Sequence, residues 1–212
     1  MKARSSDLEG VRECIHLECG YAVERQVHVP EWDRWKVRCD ACGTGSTAWD
    51  LPAGPCGTCG AALSTAREEA VLDLEVRSAT VPCLYFDVTV RHSVPGGAQL
   101  LTAAAGRDGA VNHDAEGEKR RRYPEGRTPW RAVPLALETC GRHGAAALKH
   151  LRSLAKQRAE RLGEGGDWAS SELVLRWGCR LSVALQRSNA RRLRSALGDE
   201  RCGRDLAAEL AG

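Results

Sequence analysis

A chain of 212 residues with 42% hydrophobic and 5% aromatic content fits one medium domain with an appendage, and its 22 glycines require many loops. No window approaches the roughly 18 apolar residues of a spanning helix, and the charged start "MKARSSDLEGVREC" lacks the apolar core of a signal peptide. A nuclear or cytoplasmic protein is therefore expected, not a secreted one. The net charge of +3 hides an asymmetry, with 14 Lys/Arg against 8 Asp/Glu after residue 140 and 17 against 20 before it. A basic C-terminal part suits a phosphate backbone, and it equally suits helices with Arg-rich solvent faces.

Residues 1–38 show no clear period, although "VPEWDRWKVR" (29–38) is strand-like at its end. Residues 39–60, "CDACGTGSTAWDLPAGPCGTCG", form a compact module. Cys39 and Cys42, then thirteen residues, then Cys56 and Cys59 is the spacing of a zinc site. Two thiolates two residues apart chelate one ion from a tight turn, and two such turns complete a tetrahedron. Gly43, Gly57 and Gly60 suit knuckles of that kind. Four thiolates leave no vacant position, so the expected zinc is structural. Cys14, His16 and Cys19 hint at another site without an evident fourth ligand, while Cys83, Cys140 and Cys179 read as small hydrophobes.

Beyond a polar linker, "VLDLEVRS" (71–78) alternates as a strand with one apolar face. "ATVP" (79–82) is a turn candidate and "CLYFDVTVRH" (83–92) a second strand, so a hairpin is the economical connection. Residues 107–123 are expected to be helical despite Gly109 and Gly117. "WRAVPLALETCG" (130–141) is a third strand whose Pro134 argues for an edge or a bulge. Two helices follow, with stripes at Leu148, Leu151, Ala155, Leu162 and at Leu173, Trp177, Leu181, Ala184, Leu185. The whole predicts an α/β (α+β) protein with a small central sheet flanked by helices. Its expected parts are an N-terminal segment with a zinc ribbon (1–66), a core (67–160) and a basic helical extension (161–212).

The chemistry sits on the two central strands. Asp73 and Asp87 are separated by thirteen residues, and in a hairpin both carboxylates face one side of the sheet. Two close carboxylates repel each other unless a cation lies between them, so replacing one is expected to relieve the metal-free protein. Mg²⁺ suits such a pair because it takes hard oxygen ligands and keeps waters for chemistry. Each acid taken singly also has a structural explanation, and "KRRR" (119–122) alone is equally a solvated run or a nuclear localisation signal.

Taken in order, Asp73, "FDVTVRH" with Asp87, "AEGEKRRRY" and "VPLALETCG" resemble the restriction-like endonuclease domain of site-specific non-LTR retrotransposons, within the PD-(D/E)-x-K superfamily. The resemblance covers roughly residues 70–155 and implies the C-terminal nuclease portion of such an element, without its reverse transcriptase. Leu72 stands where that family has Pro, and Thr89 leaves the catalytic lysine to the helix. The resemblance implies a restriction-endonuclease-like fold and Mg²⁺-dependent DNA cleavage. Asp73 and Asp87 would ligate magnesium, and Lys119 would assist the water or the phosphate. Arg120, Arg121 and Arg122 would contact DNA, and Tyr123 would pack the helix on the sheet. Glu138 is a spare acid. The rival is a zinc-ribbon protein that binds DNA or RNA without chemistry, its acids being remnants.

Overall fold

The computed structural model describes residues 6–78, 83–163 and 167–196. The turn candidate 79–82 and the end of the C-terminal segment, 197–212, lie outside these residues. The chain opens with helix α1 (Ser6–Glu18) and strand β1 (Ala22–His28). A single 3-10 turn over Pro30–Trp32 then leads into β2 (Arg34–Arg38), β3 (Gly45–Ala48) and β4 (Ser64–Glu68). Strands β5 (Val71–Arg77) and β6 (Leu84–Arg91) follow, then helices α2 (Ala98–Gly106) and α3 (Ala110–Arg122). Strand β7 (Arg131–Glu138) and helices α4 (Ala145–Arg161) and α5 (Asp167–Ala196) complete the fold.

Seven strands make two sheets, a four-stranded one in the order β1-β5-β6-β7 and a three-stranded one in the order β3-β2-β4. Strands β5 and β6 pair antiparallel, as the hairpin reading expected. β7 joins β6 in parallel and lies at the edge, where Pro134 costs no ladder bond on its outer side. The leucines and aromatics of alternate positions (Leu74, Val76, Phe86, Leu135, Leu137) face α1, α4 and α5 in one apolar core. Helix α3 packs across β6 and β7. The α5 stripe Leu173, Trp177, Leu181, Ala184 and Leu185 is buried as expected. In α4, Ala147, Leu154 and Ala159 join Leu151 and Ala155 in the core, while Leu162 is exposed.

Five elements escaped the sequence pattern: β3, β4 (within the stretch read as a polar linker), α2, and α1 and β1, the last two for clear physical reasons. The buried stripe of α1 is Leu8, Glu9, Arg12, Ile15 and His16, so three of its five core-facing positions are polar and no apolar period shows. β1 is largely exposed on both faces, which removes the alternation that marks a half-buried strand. The helix expected over 107–123 begins at Ala110. Gly109 stands outside it at the N-cap with φ 72°, and α2 precedes it.

The division expected at residue 66 is not where the chain is cut. β1 pairs with β5 from Ala22↔Arg77 to His28↔Val71, so residues 22–28 and 71–138 share one sheet and the ribbon is an insertion between two neighbouring strands. Nor is α5 a separate extension, since its apolar stripe lies in the main core. Among the described residues no helix is long and apolar enough to cross a membrane.

Candidate active site and metal centre

The four cysteines of the ribbon cluster within metal-binding distance, their sulfurs all within 4.8 Å of one another. Cys39 and Cys59 approach to 3.4 Å and Cys42 and Cys56 to 3.6 Å. A tetrahedron with Zn–S bonds of about 2.3 Å needs sulfurs roughly 3.8 Å apart, so the set is compatible with a structural zinc. The two turns are built alike. Gly43 N–H donates to the Cys39 carbonyl at 2.9 Å and Gly60 N–H to that of Cys56 at 2.8 Å. Both glycines have φ near +70° (72° and 74°), a region costly for a side chain with a Cβ. Backbone hydrogen bonds from Thr58 and Cys59 lower the Cys56 thiol to about 5. Against the Ala61 amide, the neighbouring thiols Cys39 and Cys42 push Cys59 up to about 12, so without a metal the four do not all ionise together. Cys14, His16 and Cys19 do not gather. Cys14 is exposed, His16 pairs with His150 at 2.9 Å, and Cys19 is buried beside the Leu154 carbonyl. Cys140 and Cys179, read from sequence as small hydrophobes, are exposed, and the half-buried Cys83 donates to Glu75 at 2.9 Å.

A hub at Asp33 ties the ribbon to the larger sheet. Its carboxylate accepts from Ala70 N–H at 2.6 Å, from Arg67 Nε at 2.9 Å and from His28 at 3.0 Å, clasping the chain where it enters and leaves the insertion. Burial alone would raise its pKa, but the Ala70 amide, His28 and Arg67 together hold it below the ordinary value. Arg122 reinforces the joint, donating to the carbonyls of Trp32 and Glu68 and stacking on Tyr123 at 5.2 Å.

The two acids do meet. Continuing the Leu74↔Phe86 register by one residue sets Asp73 opposite Asp87, but the ladder stops there. Asp73 instead turns an oxygen to the Val88 amide at 2.6 Å. Its other oxygen lies 3.4 Å from the Gln26 amide, which also reaches Glu9 at 3.3 Å. Gln26 has φ 55°, the single positive value among non-glycine residues described, and the β1–β5 pairing skips Gln26 and Asp73. Strained backbone of this kind, costing about 1–3 kcal/mol, gathers at functional sites. Burial, then the charge of Asp87, pushes the Asp73 carboxyl up to about 6.

From α3, Lys119 places its ammonium 2.6 Å from both oxygens of Asp87, both residues being buried. Tyr123 packs against Trp32 with ring centroids 5.4 Å apart, in a small second core that includes Tyr85 of β6. Burial and the neighbouring Asp87 raise the Tyr123 phenol well above its ordinary pKa. These groups open on a cleft of about 770 Å³ whose lining includes Glu9, Asp73, Asp87, Lys119, Arg121 and, from the ribbon, Arg34.

The three arginines of the basic run part company. Arg121 is exposed and lines the cleft. Arg120 is exposed but pairs with Glu116 at 3.2 Å. Arg122 lines the cleft too, yet its guanidinium is spent on the ribbon joint, so the expectation of a free phosphate contact there is corrected. Glu138 is buried, accepting from Asn112 at 3.3 Å. Among the described residues only the four cysteines form a set of three or more candidate ligands. The acids thus offer a cation two carboxylates at most, a donor set that fits Mg²⁺, which is commonly held by one or two carboxylates with waters and substrate phosphates. Glu9, Arg12 and Gln26 carried no sequence signal, because nothing local marks a residue that will lie near a strand so far along the chain, 47 positions on for Gln26 and further for the other two. No family model, curated protein or solved structure matches this chain.

Proposed function

We propose that the chain is a Mg²⁺-dependent DNA endonuclease of the restriction-like kind, with a zinc ribbon inserted beside its active site. One observation carries this reading: Asp73 and Asp87 from adjacent strands and Lys119 from α3 converge, buried, in a cleft that Arg121 and Arg34 line. Mg²⁺ bound by Asp73 and Asp87 would supply charge neutralisation at the phosphate and a more acidic water. Lys119 is the internal counter-ion of Asp87 in the ligand-free protein, and beside a bound phosphate the same ammonium offsets charge that develops on its oxygens. In the reaction a water oxygen bonds to phosphorus and the bond to the leaving sugar oxygen breaks, with one proton lost from the water and one gained by the leaving group. Zinc at Cys39, Cys42, Cys56 and Cys59 holds the ribbon, whose Arg34 forms one wall of the cleft.

The test is relaxation of supercoiled plasmid in Mg²⁺ by the wild type and by Asp73→Asn, Asp87→Asn and Lys119→Ala. Each variant is expected to lose nicking and to keep DNA binding nearly unchanged. Persistent nicking by Asp87→Asn would falsify the catalytic assignment. A second reading, a zinc-ribbon nucleic-acid-binding protein without chemistry, draws on the ion pair itself, because Lys119 satisfies both oxygens of Asp87 with no metal. Absence of nicking, together with a melting temperature indifferent to Mg²⁺, selects that reading.

A further inference from the structure

Arg122 stands one turn beyond Lys119 on the same side of α3. Its guanidinium donates to two carbonyls, those of Trp32 and Glu68. These residues bracket the insertion, since Trp32 precedes β2 and Glu68 ends β4. The buried Trp32 ring packs on Tyr123 at 5.4 Å and on Tyr85 at 5.7 Å, and Tyr85 lies on β6 close before Asp87. Tyr123 N–H donates to the Lys119 carbonyl at 2.8 Å and so closes the last turn of α3. The turn that carries Lys119 is therefore held by one residue stacked on Trp32 and by another bonded to both ends of the ribbon. The far ends of the same two ribbon strands belong to the thiol turns. β2 runs directly into Cys39, β4 begins shortly after Cys59, and the two pair from Arg34↔Glu68 to Arg38↔Ser64. About 13 Å of ladder separates the metal end from the Arg122 end.

We infer that Arg122 is a positioning residue for Lys119, through which the metal state of the ribbon governs the acid site. The inference rests on the nuclease reading for its effect on catalysis, while the mechanical coupling stands apart from it. With the four thiolates gathered on a metal, β2 and β4 are pinned together, and the carbonyls of Trp32 and Glu68 are fixed acceptors for one planar fork. Small metal modules lose their folding energy with the metal, and the acceptors then move apart. Arg122 loses its hold, the last turn of α3 frays, and Lys119 leaves the Asp87 carboxylate. The rest of α3 stays, because Ala110, Val111 and Ala115 are buried and Asn112 donates to Glu138. The Asp33 clasp keeps the root of the insertion on the sheet, which confines the change to the joint. The element with two arrangements is the last turn of α3, and both the thiol turns and the acid site bias it.

The experiment is hydrogen–deuterium exchange, read by mass spectrometry on the full chain, zinc-loaded and after chelation, for the wild type, Arg122→Gln and Arg122→Met. Removing zinc from the wild type is expected to speed exchange at residues 119–123 about tenfold and to leave residues 110–116 within about twofold. In both variants residues 119–123 should exchange fast with zinc in place, and chelation should add less than about twofold. The zinc-loaded variants should also nick about tenfold more slowly at saturating Mg²⁺, with duplex affinity within about twofold and the salt slope unchanged. A fall in affinity and slope with the rate intact would overturn the inference, because Arg122 would then be a phosphate contact. Exchange at 119–123 that ignores zinc in the wild type would overturn it too, as would variants that respond to zinc as fully as the wild type. Loss of protection throughout the four-stranded sheet on chelation, or failure of both variants to fold, would overturn it by showing a role in the whole fold. The expected exchange pattern without any nicking by the wild type would bring down the nuclease reading and leave the coupling standing.

Discussion

The ribbon and the acid site are neighbours built on opposite plans. All four ribbon ligands lie within residues 39–59, and each pair sits in its own tight turn, so local backbone geometry does most of the assembly. The acid site draws Glu9 from α1, Gln26 from β1, Asp73 from β5, Asp87 from β6 and Lys119 from α3, and it exists only when the sheet has formed. The ribbon carries thiols that deprotonate together only when a metal arrives to hold and partly offset their charge. The acid site carries carboxylates that the protein has had to balance from within, with Lys119 and by raising the proton affinity of Asp73. Local sites are stabilised by their ligand, whereas assembled sites are stabilised by the fold.

The largest effect should come from the metal. About one zinc per chain is expected by elemental analysis, and apparent stabilisation by structural zinc runs to about 10–16 kcal/mol in small modules. Cys42→Ser should release it and open residues 34–68 to proteases, while the four-stranded sheet keeps its circular dichroism. Unfolding of the whole chain together would show that the two regions are not separable.

Acid should act in the opposite sense, on the larger core. An imidazole held neutral in the fold gains a proton on unfolding, so stability falls as pH drops from the unfolded value of roughly 6.5. The folded values are about 4, about 4 and about 3 for His16, His143 and His150. Asp73 opposes this. Its folded value of about 6 exceeds the unfolded one of roughly 3.9, so its contribution is lost as pH rises through that window. With three imidazoles against one carboxyl, the net expectation is a loss of several kcal/mol between pH 6.5 and 4. A melting temperature flat across that range would show that the histidines are not buried neutral.

Next in size is the ion pair. Sequence alone suggested that Asp87→Asn relieves a repulsion, but the structure reverses that sign. The substitution leaves Lys119 buried and unpaired, a loss of about 3–5 kcal/mol. Denaturant unfolding of the metal-free variant decides between the two. Asp33→Ala should then cost about 2–4 kcal/mol by unclasping the ribbon, with faster proteolysis in residues 39–60 as the accompanying sign.

The smallest effect is electrostatic. Arg121→Gln should weaken DNA binding a few-fold on all sequences and reduce the salt slope by about one. Arg120→Gln should do less, because Glu116 already engages that side chain. Equal effects would mean that the cleft does not set the path of the nucleic acid.

Sequence by itself determined the parts whose physics is local. The paired Cys-x-x-Cys spacing fixed the metal cluster, the period-2 alternation fixed β5 and β6, and the spacing of Asp73 and Asp87 placed them on one hairpin face. Lys119 was singled out only through the family resemblance, and in the structure its ammonium lies against Asp87. Tertiary structure alone decided the rest. α1 was illegible because its core-facing stripe holds Glu9, Arg12 and His16, whose burial is tolerable only when distant elements supply neutralising partners or remove their charge. β1 was illegible because both of its faces are largely exposed, so no apolar alternation marks it. Which arginine of the run faces the cleft depended on how α3 sits against the ribbon joint, and no spacing along the chain encodes that contact.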